Sequence, residues 1–462
     1  MRPSDVIDLL RDDLIPKFDA ERTDLDEIDE WLSGNNPIER PAHTDPNSKR
    51  SSLRELSRTP MLRQIVEQLA QQLVLESVSL TSGDDIAARR IWAPFENNGL
   101  RSRQGALYEA TVGYGYAYSL ALPGVTPNGG AKILTPTPDA ALITFLSPRQ
   151  LFVVPSSDPF DEWPMFGLWR IPQAGGSTMY RLFDNEGQHF VSADKAGKLT
   201  YIEFRPWGGL DVTPIITYQN HGNLEGESVG EVRRNEIVAR RYDATVHDRL
   251  LIQHNNSWRI LAATGLDDPG SVDEQDRLKA RFRHDDVLIG GEGVDFKTLP
   301  ETTLDSILRA AEADQETLSA MAQVTIWSLN SSKLINLSAD ALTEARSLNR
   351  MKVMALQRSL GRSHANLMRL AAFIEGREED AANFSLVLEW ENVEAQALSG
   401  VADALSKLKD LGVPMDALWE MIPGVSRRKV EAWKVWSRQN PTRDQVIASM
   451  LARQTAVSDV GE

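Results

Sequence analysis

The stretch with the most chemistry in it is Gly226-Glu227-Ser228-Val229-Gly230, which fits the G-x-S-x-G pattern of a serine nucleophile. That pattern works only where a strand runs straight into a sharp turn on an alternating strand-and-helix sheet. Here the apolar run ending at Gln219 is separated from Gly226 by the polar "NHGNLE", and no such alternation surrounds it. The competing reading makes Ser228 a helix N-cap, with Glu231 completing a capping box. A serine hydrolase using Ser228 is the enzymatic alternative. Gly197-Lys198 is followed by Leu199 and lacks the earlier glycine of a phosphate-binding loop. "GYGYAY" at 113–118 lacks the third glycine of a dinucleotide fingerprint. Gly290, Gly291 and Gly293 fit a hairpin-like turn. His247 and His254 sit two turns apart on one predicted helix, without an acidic partner to complete a metal set, and both read as solvated. Cysteine is absent, which removes disulfides, thiolate metal sites and a thiol nucleophile. No catalytic residue, metal or cofactor is expected.

The elements that position these residues indicate an α+β fold. The chain has 462 residues, enough for two or more domains, with an ordinary apolar fraction of 41%. No apolar run reaches the ~18 residues of a membrane span, and the N-terminus carries acids where a signal peptide needs an apolar stretch. The net charge of −16 opposes tight, non-specific nucleic-acid binding, which needs Lys and Arg to displace counterions. Residues 3–32, 60–76 and 84–118 read as helices, the last broken by "ENNG". From about 117 to 220 short β-branched and aromatic runs alternate with turn signals, predicting a largely antiparallel sheet. "FSLVLEW" reads as one last strand, followed by helices.

Residues 228–376 organise the rest. A first helix is predicted over Ser228–Thr264, with Val238, Tyr242, Val246 and Leu250 on one side. A turn-rich insert follows over 265–300. A second helix starts near Glu301, with Leu304, Ile307, Leu308, Ala311, Leu318 and Met321 as its seam. Asp305, Glu312, Asp314 and Glu316 are assigned to its other face, opposed by Arg309 alone. A third helix is predicted over Ala339–Glu375, with Ser338 at its start and Gly376 at its C′ position.

In this segment the chain resembles the portal proteins of tailed bacteriophages, in their short-polypeptide branch. "TPIITYQNHGNLEGESVGEV" resembles the strand and turn leading into a first stem helix, and "RILAATGL" that helix's far end. "LSADALTEARSLNR" resembles the opening of a tunnel helix, and "IWAPFENNGL" a wing passage. The resemblance implies a wing (1–225), stem helices (226–264 and 301–322), a clip (265–300), a tunnel loop (323–340), a tunnel helix (341–376) and the remaining wing and crown (377–462). It implies a homododecameric ring at one capsid vertex, in the virion and in the host cytoplasm during assembly. Its partners would be double-stranded DNA (touched transiently and non-specifically), terminase, the major capsid protein and a head-completion or neck adaptor, with no membrane. Asp305, Glu312, Asp314 and Glu316 would line the DNA channel. Ser328, Asn330, Ser331, Ser332, Lys333 and Asn336 would form the tunnel loop. Arg346, Arg350, Arg358 and Arg362 would make a basic face against the neighbouring subunit. A different capsid-vertex structural protein is the remaining alternative.

Overall fold

The computed structural model describes residues 1–37, 49–124, 140–158, 160–207, 209–257, 261–264, 295–298, 303–330, 339–391, 398–422, 425 and 427–440. Two compact units emerge, one from Met1–Asp29, Arg63–Arg234 and Ala339–Glu462, the other from Glu30–Leu62 and Asn235–Ser338. Helices and antiparallel ladders together give the expected α+β class.

The first unit opens with α1 (Pro3–Leu9), a π turn (Leu10–Leu14) and α2 (Ile15–Leu32). Val6, Leu10, Leu14 and Phe18 recur every fourth residue, a row that would drift around a regular α-helix of 3.6 residues per turn. The wider π turn slows that drift. The row therefore stays over one face of a sheet, against Leu168, Tyr180, Leu182, Val191 and Ala193. That sheet has five antiparallel strands in sequence order: β4 (Leu151–Val154), β5 (Phe166–Pro172), β6 (Thr178–Phe183), β7 (Gly187–Ala193) and β8 (Leu199–Pro206). Gly197, in the turn between β7 and β8, has φ of 80°, and Asp194 Oδ1 accepts from the Ala196 and Lys198 amides. The glycine and lysine of this pair thus serve a hairpin.

A three-stranded sheet is centred on β2 (Tyr116–Pro123), flanked by β3 (Ala141–Leu146) and β9 (Ile215–Gln219). The helical stretch ahead of it resolves into α5 (Asp85–Asn97), a 3₁₀ turn (Leu100–Ser102) and α6 (Gln104–Tyr114). Asp84 caps α5, accepting from the Ile86 and Ala87 amides. Helix α4 (Met61–Gln71) stops before the predicted end. Leu75–Leu80 forms β1 instead, paired antiparallel with β12 (Leu386–Trp390) some 300 residues away. A two-stranded ladder of such separation leaves no local signature.

The last long helix, Ala339–Ile374 (α10), starts and ends close to its predicted bounds. Gly376, with φ of 73°, ends it, and the Arg377 amide reaches back to the Ala372 carbonyl. At about 100° per residue, its buried positions Asn349, Lys352, Val353, Leu356, Leu360, His364 and Leu367 fall on one side. That side packs on β9, β2 and α5. His364, fully buried, lies between two phenols: Nε2 is 2.9 Å from Tyr108 Oη and Nδ1 is 3.1 Å from Tyr218 Oη. Tyr108 donates to Gln104 Oε1, which also accepts from the Leu75 amide. A phenol has one proton, so His364 Nε2–H donates to Tyr108 and Nδ1 accepts from Tyr218. Every hydrogen in this chain of bonds is thereby assigned.

The second unit contains α3 (Lys49–Leu56), most of α7 (Glu231–Ser257), α8 (Asp305–Ala322) and the short α9 (Ile326–Leu329). Helix α7 is shorter at both ends than predicted. Leu261–Thr264 is not its far end but β10, paired antiparallel with β11 (Asp295–Thr298). The rest of the insert, with Gly290, Gly291 and Gly293, lies outside the described residues.

Candidate functional site

The acidic helix α8 packs on α7. Ala311, Leu318 and Ala322 are buried, and with them Asp314. Arg241 Nε donates to Asp314 Oδ1 at 2.6 Å, and the Thr245 hydroxyl lies 3.2 Å from Oδ2. Asp314 is therefore a correction to the predicted open acidic face. Helical periodicity explains it: nine residues beyond Asp305, at about 100° each, is about 180° around the helix. Asp305, Glu312 and Glu316 do share one stripe, with Arg309 between them, and all are exposed.

The segment after α8 is also more ordered than predicted. Thr325 opens the helical turn α9, and the Ser328 hydroxyl donates back to the Thr325 carbonyl. Asn330 Nδ2 donates to Gln315 Oε1 at 2.9 Å, while Gln315 Nε2 donates to Tyr242 Oη. Asn330 thus folds back onto α8, and Ser328 bonds within its own helical turn. Ser331, Ser332, Lys333 and Asn336 lie outside the described residues.

On α10, Arg350, Arg358 and Arg362 are exposed and Arg346 half-buried. Arg362 pairs with Glu162 of its own chain, which also accepts from Asn366. Lys352 is different again. It is buried on the packed side of α10, with Nζ 2.6 Å from Glu231 Oε2. Burial lowers the Lys352 pKa, and Glu231 opposes that shift.

The serine of the G-x-S-x-G stretch has a structural task. Ser228 Oγ lies 2.6 Å from the Gly115 carbonyl oxygen and 3.0 Å from that of Asn220. Among the described residues its hydrogen-bond partners are these two backbone oxygens, and no histidine is among them. Nor is it the N-cap, since α7 starts at Glu231, whose carboxylate is buried against Lys352. The two glycine motifs form one close joint. A Cβ on Gly230 would lie 2.1 Å from Gly113 O, and one on Gly115 would lie 2.7 Å from Gly230 N. Only hydrogen fits between the backbones.

His247, read as solvated, is buried, with Nδ1 3.3 Å from Asp248 Oδ1. Among the described residues no group of three or more acidic or histidine side chains is placed to hold a metal. Among the same residues no helix is long and apolar enough to cross a membrane.

Residues 11–441 match the family model described as "Phage portal protein, SPP1 Gp6-like". The match spans nearly the whole chain. The chain belongs to this family of phage portal proteins. No curated protein matches it. Among solved structures it is similar to a chain in the virion of a native gene transfer agent particle, at 14% identity and a TM-score of 0.42, covering 84% of this chain and 96% of that one. It is similar to a chain in the neck of a native gene transfer agent particle computed with C12 symmetry, at 15% identity and a TM-score of 0.44, covering 81% and 91%. A third likeness is to an HK97-family phage portal protein from Corynebacterium diphtheriae, at 11% identity and a TM-score of 0.39, covering 73% and 94%.

Proposed function

We propose that the chain is the subunit of a portal ring at one capsid vertex, through which DNA enters during packaging and leaves during ejection. The observation that carries this is the family match over residues 11–441. In this reading the ring is a homododecamer with the wing, stem, clip, tunnel loop, tunnel helix and crown segments given above. It docks terminase, and later the neck proteins, while the major capsid protein surrounds it. Its role is structural rather than enzymatic.

The exposed stripe Asp305, Glu312 and Glu316 supports an acidic channel lining. Duplex DNA is a dense line of phosphates, and a cationic wall would bind it and release it slowly. A carboxylate wall repels it, over a Debye length of about 8 Å at physiological salt. Asp314, being buried and paired, takes no part. Arg350 and Arg358 face the neighbouring subunit, with Arg346 beside them.

The test uses purified rings of wild type and of the triple variant Asp305→Lys, Glu312→Lys, Glu316→Lys. Top views should show a closed ring with an axial opening in both. Linear duplex should be retained by the variant rings in a salt-dependent way and pass the wild-type rings freely. Equal retention by both would remove the lining from this account, and a monomer without an axial opening would remove the portal reading itself.

A further inference from the structure

The small sheet of β1 and β12 has one edge closed and one open. On the β1 side the Leu75 amide donates to Gln104 Oε1 at 3.0 Å, and Arg101 donates to the Glu76 carbonyl at 2.7 Å. Side chains thus occupy groups that a further strand would need. On the β12 side no third strand pairs among the described residues, and Leu386, Leu388 and Trp390 are only half-buried. The register fixes which groups are left over. The Thr81 amide donates to the Ser385 carbonyl, and the ladder continues by pairing Ser79 with Val387 and Val78 with Leu388. Alternate residues of an antiparallel strand turn their N–H and C=O to the partner. Ser385 and Val387 therefore face β1, while Leu386 and Leu388 turn theirs to the open edge. Past the irregularity between Leu75 and Ser77, the Glu391 amide donates to the Val74 carbonyl, which puts Trp390 on the open edge too. Beside that edge lies a cleft of about 440 Å³, with Asn383, Phe384 and Leu386 as one wall, the turn at 160–163 as the other and α10 as the floor. No β1 residue lines it, so it opens on the free side of β12. The walls are braced: Glu162 is tied to Arg362 and Asn366 of the floor, and the Arg369 guanidinium lies 3.5 Å from the centre of the Phe384 ring.

We propose that the open edge of β12 and this cleft take an extended segment of another protein, added as a third strand with one large apolar side chain seated between Phe160 and Phe384. The edge selects the class of ligand. Its N–H and C=O groups recur at every second residue, ~6.8 Å apart, and another extended backbone complements that pattern. A phosphate backbone offers acceptors alone. The cleft sets the size. At ~3.4 Å rise, ~4.8 Å strand spacing and ~10 Å layer thickness, a strand residue takes up about 160 Å³, so about three fit. The lining sets the side chain. Phe160, Trp163, Phe384 and Leu386 are apolar, and the charged groups are already engaged: Arg362 with Glu162, Arg369 with the Ala381 carbonyl and Asp161 with the Trp163 amide. A second copy is poorly suited. Pairing β12 with its own equivalent needs a two-fold axis, which neighbours around a ring do not share, and the edge of β1 is blocked by Gln104 and Arg101. Every group of the site belongs to one copy; only this exclusion of a second copy rests on the ring reading.

The probe is a fluorescein-labelled peptide, Thr-Val-Thr-Phe-Thr-Val-Thr, titrated with the purified full chain before and after ring assembly. Its anisotropy should show saturable binding to both. N-Methylation of alternate residues removes donors from one side of a strand only. Methylating one alternate set should weaken binding about tenfold or more, and methylating the other should leave it within about twofold. In the protein, Leu386→Pro removes one outward N–H at the first position of a strand, where proline is tolerated, and leaves the β1 ladder intact. It should weaken binding about tenfold. Phe160→Ala alters a side chain that is 94% exposed, so it should melt like the wild type and weaken binding about fivefold. No saturable binding, an equal loss for both methylated peptides, or unchanged affinity in Phe160→Ala would overturn the proposal. Binding before assembly but not after it would give the edge to a second copy, and would overturn the proposal as well. A chain that binds the peptide yet never closes into a ring would sink the portal reading and leave this edge standing.

Discussion

Replacing His364 by glutamine tests the most fully determined part of the interior. Burial pushes the His364 pKa from its ordinary 6.5 down to about 3. Geometry supports the same direction. Protonation would put a hydrogen on Nδ1, which already accepts from Tyr218. The unfolded chain takes up a proton as the pH falls through about 6.5, while the folded chain declines it until about 3. Stability contributed by neutral His364 is therefore complete above that window and is lost as the pH falls through it. Between about pH 8 and about pH 5 the linkage amounts to RT ln(1 + 10^1.5), or about 2 kcal/mol, roughly thirtyfold in the folding constant. A glutamine side chain in this place can donate and accept as neutral histidine does and has no proton to gain. The His364→Gln variant should be less stable than wild type at high pH, by about 1–3 kcal/mol for imperfect packing. The gap should close by about 2 kcal/mol on acidification to about pH 5, because only the wild type carries the linkage. Parallel denaturation curves across pH measure this, and imidazole resonances of the seven histidines give an independent check. A wild type and variant with the same pH slope would refute the reasoning, as would a His364 resonance titrating near the ordinary value.

Further outcomes follow from the paired interior. Lys352→Met leaves the Glu231 carboxylate buried without its ammonium partner and should cost about 3–5 kcal/mol, much of it recovered by adding Glu231→Gln, in a double-mutant cycle of melting curves. Asp314→Ala removes the acceptor of Arg241 and should cost about 2 kcal/mol, whereas Asp305→Ala, Glu312→Ala and Glu316→Ala should each stay within about 0.5 kcal/mol. Asp243, which accepts from Asn36 Nδ2 and the Thr59 amide, is pushed up to about 6, chiefly by burial. A raised carboxyl favours the fold when protonated, so its contribution is complete below about pH 4 and fades as the pH rises through about 6. Asp243→Asn should flatten that part of the stability profile, read by denaturation at a series of pH values.

How much of this was legible in the sequence depends on the range of the interaction that decided each element. Helix α10 was readable because its periodicity, its start and Gly376 all agree within one segment. The strands of the five-stranded sheet were readable because each hairpin pairs neighbours. Leu75–Leu80 was not, since its partner Leu386–Trp390 is remote and the run also continues a helical pattern. Asp314 was misplaced although its position was available: counting nine residues from Asp305 puts it on the far side of the helix. Ser228 and the two glycine motifs could not be understood singly. Gly115 and Gly230 each look like half of an unfinished active site, and only their contact shows that both exist to let two backbones touch. His364, one of seven scattered histidines, gave no signal, because what makes it distinctive is supplied by Tyr108 and Tyr218 from other elements.

The β10–β11 ladder has a consequence for how this chain can vary. Thr264 pairs with Asp295, so the thirty residues between them leave and rejoin the body at points one strand spacing apart, about 4.8 Å. A two-residue turn would bridge that gap as well as thirty residues do. The ladder by itself therefore sets no length for the segment that joins Thr264 to Asp295.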